Sequence, residues 1–407
     1  MATAIINTQM DAINESFSNI SSDLTTIRPL LKNATIGAYP TDTASGSIAS
    51  FTDGAEGIPV KSLSVAIEPV QSGSGDPSPT NIRPISGHTE VNVYRTGKNL
   101  YDIGALVTKA WNGTSNYPTR ARTETALWLP IGTTITISAS SDFVATYNWN
   151  VVQANMDFPM SASISDLGWQ TATTRTLTTV APYIGITIKR RDSGTITLED
   201  LQAQQFQIEL GSTATDYEPY AGQTYNVSLG QTVYGGTLDV VSGVLTINTE
   251  FRTILGENVV AVSSATGYAM IALGALGYIN AYYAARSNMF AKWDGTSSAI
   301  PANYFNCINS SDYNRAQLLF RCDFTSSSGP EQKQKYVDFL DEMNEAGTPL
   351  VVVYGLATPL TYQLTPTQVS TLLGENNVWS DAGTVAVTYR ADTGLYIDKM
   401  IANAMNA

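Results

Sequence analysis

The sequence predicts a mainly β, multidomain protein led by a single helix, on three observations. Short runs of alternating apolar and polar residues recur through most of the chain, separated by turn-forming residues. Hydrophobic residues make up 43% and charged residues only 14%, so polarity rests on Thr, Ser, Asn and Gly, a composition that suits half-buried sheets. The first 36 residues carry the cleanest helical period. At 407 residues the expectation is two or three domains.

The N-terminal segment, 1–36, places Ile6, Met10, Ile13, Phe17, Ile20, Leu24, Ile27 and Leu31 at alternating spacings of four and three, an unbroken a/d heptad seam among polar residues. Pro29 ends or kinks the helix near its last turn. A helix with so narrow an apolar stripe needs a partner surface. That surface is either its own domain or other copies of the chain. The strict spacing favours a coiled coil, and mixed Ile and Leu at both seam positions favour a homotrimer.

Residues 37–94 read as a β-arm and connector. Val60–Ile67 and Val91–Tyr94 alternate as strands, and Gln71–Pro84 between them is rich in Gly, Pro and Ser. Residues 95–220 hold recurrent strand patterns, including Thr134–Ser138, Tyr183–Lys189 and Phe206–Leu210. No amphipathic helix interrupts them, which predicts a β-sandwich. Residues 221–390 read as a β-rich domain with two helices. One follows Pro330, carries Tyr336, Val337, Phe339, Leu340 and Met343 on a stripe, and stops at Gly347. The other takes Thr365 as N-cap and Pro366 as its first residue, and runs through Val369 and Leu372 to Gly374. Strands are expected at Leu350–Tyr354 and Thr384–Tyr389. Residues 391–407 form a short amphipathic tail.

Several function classes are disfavoured. The net charge of -13, with no basic stripe beyond Lys189-Arg190-Arg191, argues against nucleic-acid binding. From Asn258 to Ala285 no charge appears, but Gly267, Gly274 and Gly277 cut the run into strand-length pieces, so two buried strands are expected rather than a membrane span. Cys307 and Cys322 are too few for a disulfide framework or a zinc site and read as buried thiols of a protein made in a reducing cytoplasm. The only histidine, His88, lies in a turn-rich segment without a nucleophile elbow. No phosphate loop, dinucleotide fingerprint or metal-spaced set occurs, so no cofactor, metal site or catalytic residue is assigned. Glycoside hydrolysis needs only two carboxylates. Glu199, Asp200, Glu209, Asp216 and Glu218 are the candidates for that role, with no spacing that sets two of them across one cleft. Glu209 is expected on the exposed face of its strand, Asp216 and Glu218 in a turn.

Five blocks carry a resemblance: GIPVKSLSVAIEPVQSGSGDPSPTNIRPISG (57–87), GKNLYD (97–102), IELGSTATDYEPY (208–220), YGGTLDVVSGVLT (234–246) and LTPTQVSTLLGENNVWSDAGTVAVTYRAD (364–392). They resemble blocks of tail and baseplate structural proteins from phages and prophages of Gram-positive gut bacteria, over most of 57–397. The second and third look like the opening and closing strands of a carbohydrate-binding-module-like jelly roll. The resemblance implies a virion protein and not an enzyme, with other virion proteins as partners and host cell-wall polysaccharide as a ligand. A head fibre or capsid-decorating protein, and a tail-borne glycan hydrolase, are the alternatives. It leaves room for a structural calcium, for which no ligands can be named. Stacking on a sugar needs flat aromatic faces beside amides and hydroxyls. Trp111 in Trp-Asn-Gly-Thr-Ser-Asn, and Tyr147 with Trp149 among Asn148 and Asn150, meet that description; core packing is the competing reading for each.

Overall fold

The computed structural model describes residues 15, 44–58, 60, 62–108, 118–156, 163–263, 267–272, 285–293, 300–310, 315–324, 329–367 and 372–388. The heptad residues Ile6, Met10, Ile13, Phe17, Ile20, Leu24, Ile27 and Leu31, the tail 391–407, Trp111 and Val369 lie outside them.

In chain order, the first strands are β1 (Ala44–Gly46), β2 (Ile48–Ile58), β3 (Ser62–Ile67), β4 (Val70–Gln71), β5 (Ile85–Ser86) and β6 (His88–Thr96). Next come β7 (Leu106–Val107), β8 (Arg120–Thr123), β9 (Leu127–Trp128), β10 (Thr134–Ala139), helix α1 (Ser141–Thr146), β11 (Tyr147–Ala154) and β12 (Ser163–Asp166). They are followed by β13 (Thr174–Thr178), β14 (Tyr183–Arg190), helix α2 (Leu198–Gln202) and β15 (Phe206–Leu210). β16 (Gln223–Val233), β17 (Gly236–Asp239) and β18 (Val244–Ile254) precede β19 (Val259–Val262), β20 (Ala269–Ala272), β21 (Arg286–Ser287) and β22 (Ala291–Lys292). The last elements are β23 (Tyr304–Ser310), β24 (Arg315–Arg321), helix α3 (Gly329–Glu345), β25 (Leu350–Gln363), β26 (Leu372–Ser380) and β27 (Val385–Thr388).

Three cores organise these elements. The first belongs to a frame of two sheets, ordered β1-β27-β3-β17-β18-β25-β21 and β16-β6-β26-β2. Strict alternation builds it: β3 turns Leu63, Val65 and Ile67 inward, and β16 turns Tyr225, Val227 and Leu229 toward them from the facing sheet. Burial of each such side chain contributes about 1.5–3 kcal/mol. The predicted arm, 37–94, is therefore no separate connector. β1, β2, β3 and β6 complete the frame, because an isolated hairpin of this length cannot bury its own apolar face, while β4 and β5, among the described residues, pair only with each other.

The frame carries two insertions, each between antiparallel strands that pair with one another. The segment 97–221 leaves from β6 and returns into β16, whose register sets Arg95 opposite Gln223. The segment 255–349 leaves from β18 and returns into β25, with Ile254 opposite Leu350. The predicted single domain 221–390 is thus split between frame and second insertion, which has its own core.

The first insertion is a sandwich of β13-β10-β15 against β12-β11-β14-β8-β7, with β9 beside β14. Ile135 and Ile137 from one sheet meet Trp149, Val151, Ile184, Ile186 and Ile188 from the other. Its two helices, unforeseen in the sequence, are single turns capped by Ser140, which accepts from Phe143 N at 3.1 Å, and Thr197, which accepts from Asp200 N at 3.1 Å. Runs of six and five residues are too short to show a helical period.

The second insertion lays α3 on a sheet ordered β19-β20-β24-β23-β22. Tyr336 and Leu340 are fully buried, and Gly347 ends the helix region at φ +75°, the left-handed conformation glycine adopts without strain. The other predicted helix is not one where it is described. Thr365 and Pro366 are irregular, and Leu372–Gly374 begin β26. That strand pairs with β2 on one side and β6 on the other, and ladder bonds on both edges override a weak local helix preference.

Candidate functional site

The two described candidates for sugar stacking are core residues. On β11, odd-numbered side chains enter the sandwich, so Tyr147 is 2% exposed and Trp149 0%. Trp149 stands edge-on to Phe206 at 6.1 Å between centroids and donates from Nε1 to the carbonyl of Ala172 at 3.1 Å. Tyr147 packs on Phe143, and burial raises its phenol above the ordinary tyrosine range. Neither ring offers a free face, which corrects the expectation for both. Trp111, the third candidate, lies outside the described residues.

The opposite face of the same strands is polar. Asn148 and Asn150 alternate with the buried rings on β11. The register sets them opposite Lys189 and Thr187 of β14, which in turn oppose Arg120 and Arg122 of β8. Two rows of hydrogen-bonding side chains thus cross the centre of the larger sheet. Trp169 lies over this face, with the Lys189 ammonium 4.2 Å and the Arg120 guanidinium 5.4 Å from its ring centroid. The Oδ1 atoms of Asn148 and Asn150 are buried without a hydrogen-bond partner among the described residues. A buried acceptor left unpaired costs about 1–3 kcal/mol, so a donor arriving from outside the protein is favoured there. The basic run is divided by this geometry. Lys189 faces Trp169, Arg190 pairs with Asp192 at 2.8 Å, and Arg191 donates to the carbonyl of Val144 at 2.9 Å.

The blocks at 97–102 and 208–220 meet in space and close the root of the sandwich. Asn99 accepts from Tyr101 N and Ile208 N, and donates to the carbonyls of Phe206 and Glu218. Lys98 reaches the carbonyl of Asp216 at 2.6 Å and the carboxylate of Glu218 at 3.0 Å. Glu218 N donates to Gln207 Oε1 at 2.8 Å. Glu209, expected on an exposed face, is 3% exposed, because the following segment folds back across it. Its carboxylate accepts from Thr215 N at 2.9 Å, Thr215 Oγ1 at 2.6 Å and Gln207 Nε2 at 2.9 Å. These carboxylates hold chain segments together. Glu199 and Asp200 occupy the first turn of α2, where a helix N-terminus favours negative charge.

The long glycine- and proline-rich block is also organised by its own side chains. Arg83 donates to the carbonyls of Gln71, Ser72, Gly73 and Gly75, and Asn81 to those of Ser74 and Asp76. His88 Nε2 lies 3.0 Å from the carbonyl oxygen of Glu68. Both cysteines are free and buried, and burial pushes the Cys307 thiol up to about 12. Among the described residues no cluster of His, Cys, Asp and Glu could hold a metal ion, and no helix is long and apolar enough to cross a membrane.

Comparison of the chain with protein-family models, curated proteins and solved structures finds no match. The polar face was within reach of the sequence, since alternation puts Asn148 and Asn150 opposite Trp149. Its rows of Thr187, Lys189, Arg120 and Arg122 depend on strand pairing across up to about 70 residues, which no local pattern encodes.

Proposed function

We propose that the chain is a structural protein of a bacteriophage tail or baseplate whose sandwich adheres to host cell-wall polysaccharide. The five sequence blocks support the virion role, and the jelly-roll strand course is the finer form this reading gives the sandwich. The observation that carries adhesion is the face of Asn148, Asn150, Thr187 and Lys189 beside Trp169. It joins acceptors without a partner among the described residues, cationic donors and an aromatic ring, the mixture that hydroxyl-rich ligands require. The heptad seam from Ile6 to Leu31 supports assembly as a homotrimeric coiled coil, which multiplies weak single-site binding through effective concentration.

The test is sedimentation of purified full-length protein with host cell walls. The expected result is binding that falls at least about tenfold in a Lys189→Ala, Trp169→Ala double variant of unchanged melting temperature. Equal binding by the variant would remove adhesion from this face. Ile13→Asp with Ile20→Asp should yield monomers by light scattering and reduce wall binding more than single-site affinity. Imaging of labelled protein in the intact particle separates tail from head.

A further inference from the structure

A second site lies where the sandwich joins the frame, apart from the sheet face described above. A cleft of about 150 Å³ opens between β6, β9 and β26, and every residue lining it is described. Its floor is an aromatic stack that crosses the junction. Tyr94 of the frame is stacked between Trp128 of the sandwich, at 5.9 Å and 9°, and Trp379 of the frame, at 5.7 Å and 19°. Trp379 is fully buried and donates from Nε1 to the carbonyl of Trp128 at 2.7 Å. Tyr94 and Trp128 are only partly buried and line the cleft; with an indole stacked on each side of Tyr94, Trp128 is the ring that can stack on a ligand.

The rim is polar. Arg95, Asp102, Tyr220 and Gln223 surround the aromatic floor. Arg95 is oriented by Asn376, whose Oδ1 accepts from Nε at 3.2 Å and Nη2 at 2.9 Å. Asp102 spends Oδ1 on the Gly104 N–H at 2.8 Å. One cation and one anion leave the rim without net charge. Thr96 also lines the cleft; it is 3% exposed, and its Oγ1 has no hydrogen-bond partner among the described residues. Gly222 matters for a steric reason: a Cβ there would collide with the Tyr220 ring, so only glycine lets that ring lie over the cleft.

We infer that this cleft is a saccharide site that takes a single neutral pyranose ring. The apolar face of such a ring stacks on aromatic carbon, and its equatorial hydroxyls need donors and acceptors around the edge. The cleft supplies both. At about 150 Å³ the cleft has room for one sugar ring. The balanced rim favours an uncharged ligand, whereas the sheet face, where Lys189 and Arg120 are cationic donors, favours a ligand rich in acceptors or carrying negative charge. A sugar bound here touches both frame and sandwich, so occupancy fixes the orientation of one on the other.

The experiment is saturation-transfer NMR on the full chain with galactose, glucose, N-acetylglucosamine and rhamnose, each at about 50 mM, where millimolar binding is visible. At least one sugar should receive saturation on its ring protons. That signal should fall about tenfold or more in Trp128→Ala and in Gly222→Ala, and persist in the sheet-face variant Lys189→Ala. Gly222→Ala displaces Tyr220 without touching the aromatic stack, so it remains informative if Trp128→Ala loosens the junction. No saturation with any of the four sugars, or saturation that survives Gly222→Ala, overturns the proposal. A signal lost in Lys189→Ala but kept in Gly222→Ala also overturns it, assigning the binding to the sheet face instead.

Discussion

The two insertions hang from the frame in different ways. Both begin and end on neighbouring antiparallel strands, so each could in principle be removed and the stem closed by a turn. The second insertion grows directly out of its stem: Ile254 at the end of β18 and Leu350, Val352 and Tyr354 of β25 belong to its own core. The sandwich is instead plugged at its root. Polar bonds among Lys98, Asn99, Gln207 and Glu218 tie its first and last segments together, and the Trp128–Tyr94–Trp379 stack seats it on the frame. Both cores thus touch the frame, the sandwich's through Trp379, Tyr94 and Ile48. The sandwich, however, meets it at a clasp of polar bonds and one aromatic stack, so it should open without the second insertion.

That difference predicts how each half breaks. Trp149→Ala should have the largest effect, about 3–5 kcal/mol, because it empties the centre of the sandwich and strands the carbonyl of Ala172. In calorimetry the sandwich transition should fall by many degrees while the transition carrying α3 stays in place. Movement of both together would mean that the clasp does not isolate the sandwich. Next comes Asn99→Ala, at about 2–4 kcal/mol, since one buried amide satisfies four backbone groups of the root. Asn99→Asp should recover only part of the loss, as it keeps the acceptor and removes the donor.

The second insertion has its own signature, in pH. Burial raises the Cys307 thiol from an ordinary 9.0 to about 12, so above pH 9 the unfolded chain sheds this proton while the folded chain keeps it. Stability from this group is therefore complete below pH 9 and declines as pH rises toward 12. By pH 10 the loss should be about 1 kcal/mol, roughly one pH unit of linkage. The α3-containing transition should fall between pH 8 and 10, and Cys307→Ala should flatten part of that slope. A slope unchanged in Cys307→Ala would assign the effect to Cys322, whose thiol burial also raises, and to the buried tyrosines of the same core.

The sequence revealed the strands and missed their company. Alternation was enough to place β3, β10, β14 and β15, because a pleated strand with one buried face leaves a local, period-two trace. It could not show that β3 pairs with β17 and β27, roughly 170 and 320 residues away, so a frame strand read as part of an arm. The same limit explains β26: Leu372-Leu373 after Thr365-Pro366 is good helix chemistry, and only β2 and β6 on either side make it a strand. Burial of polar residues escapes alternation for a related reason. Glu209 alternates correctly with Phe206 and Ile208, but a return segment covers the face that alternation assigned to solvent.

The smallest stability effect should come from the residue beside the largest. Asn150 and Trp149 are neighbours on β11 and occupy opposite faces of one sheet. Trp149 makes the core, whereas Asn150 holds a buried Oδ1 with no partner among the described residues. Removing an unsatisfied acceptor relieves a desolvation cost, so Asn150→Ala should leave the melting temperature unchanged or raise it slightly, within about 1 kcal/mol. Wall adhesion should nonetheless fall, because the acceptor that a ligand hydroxyl would satisfy is gone. The pair of measurements matters more than either alone. A variant that loses stability without a specific loss of binding would make Asn150 another core residue, and the polar face would then be structure on both sides. A variant that keeps its fold and loses adhesion separates the two faces of β11 by function, one residue apart.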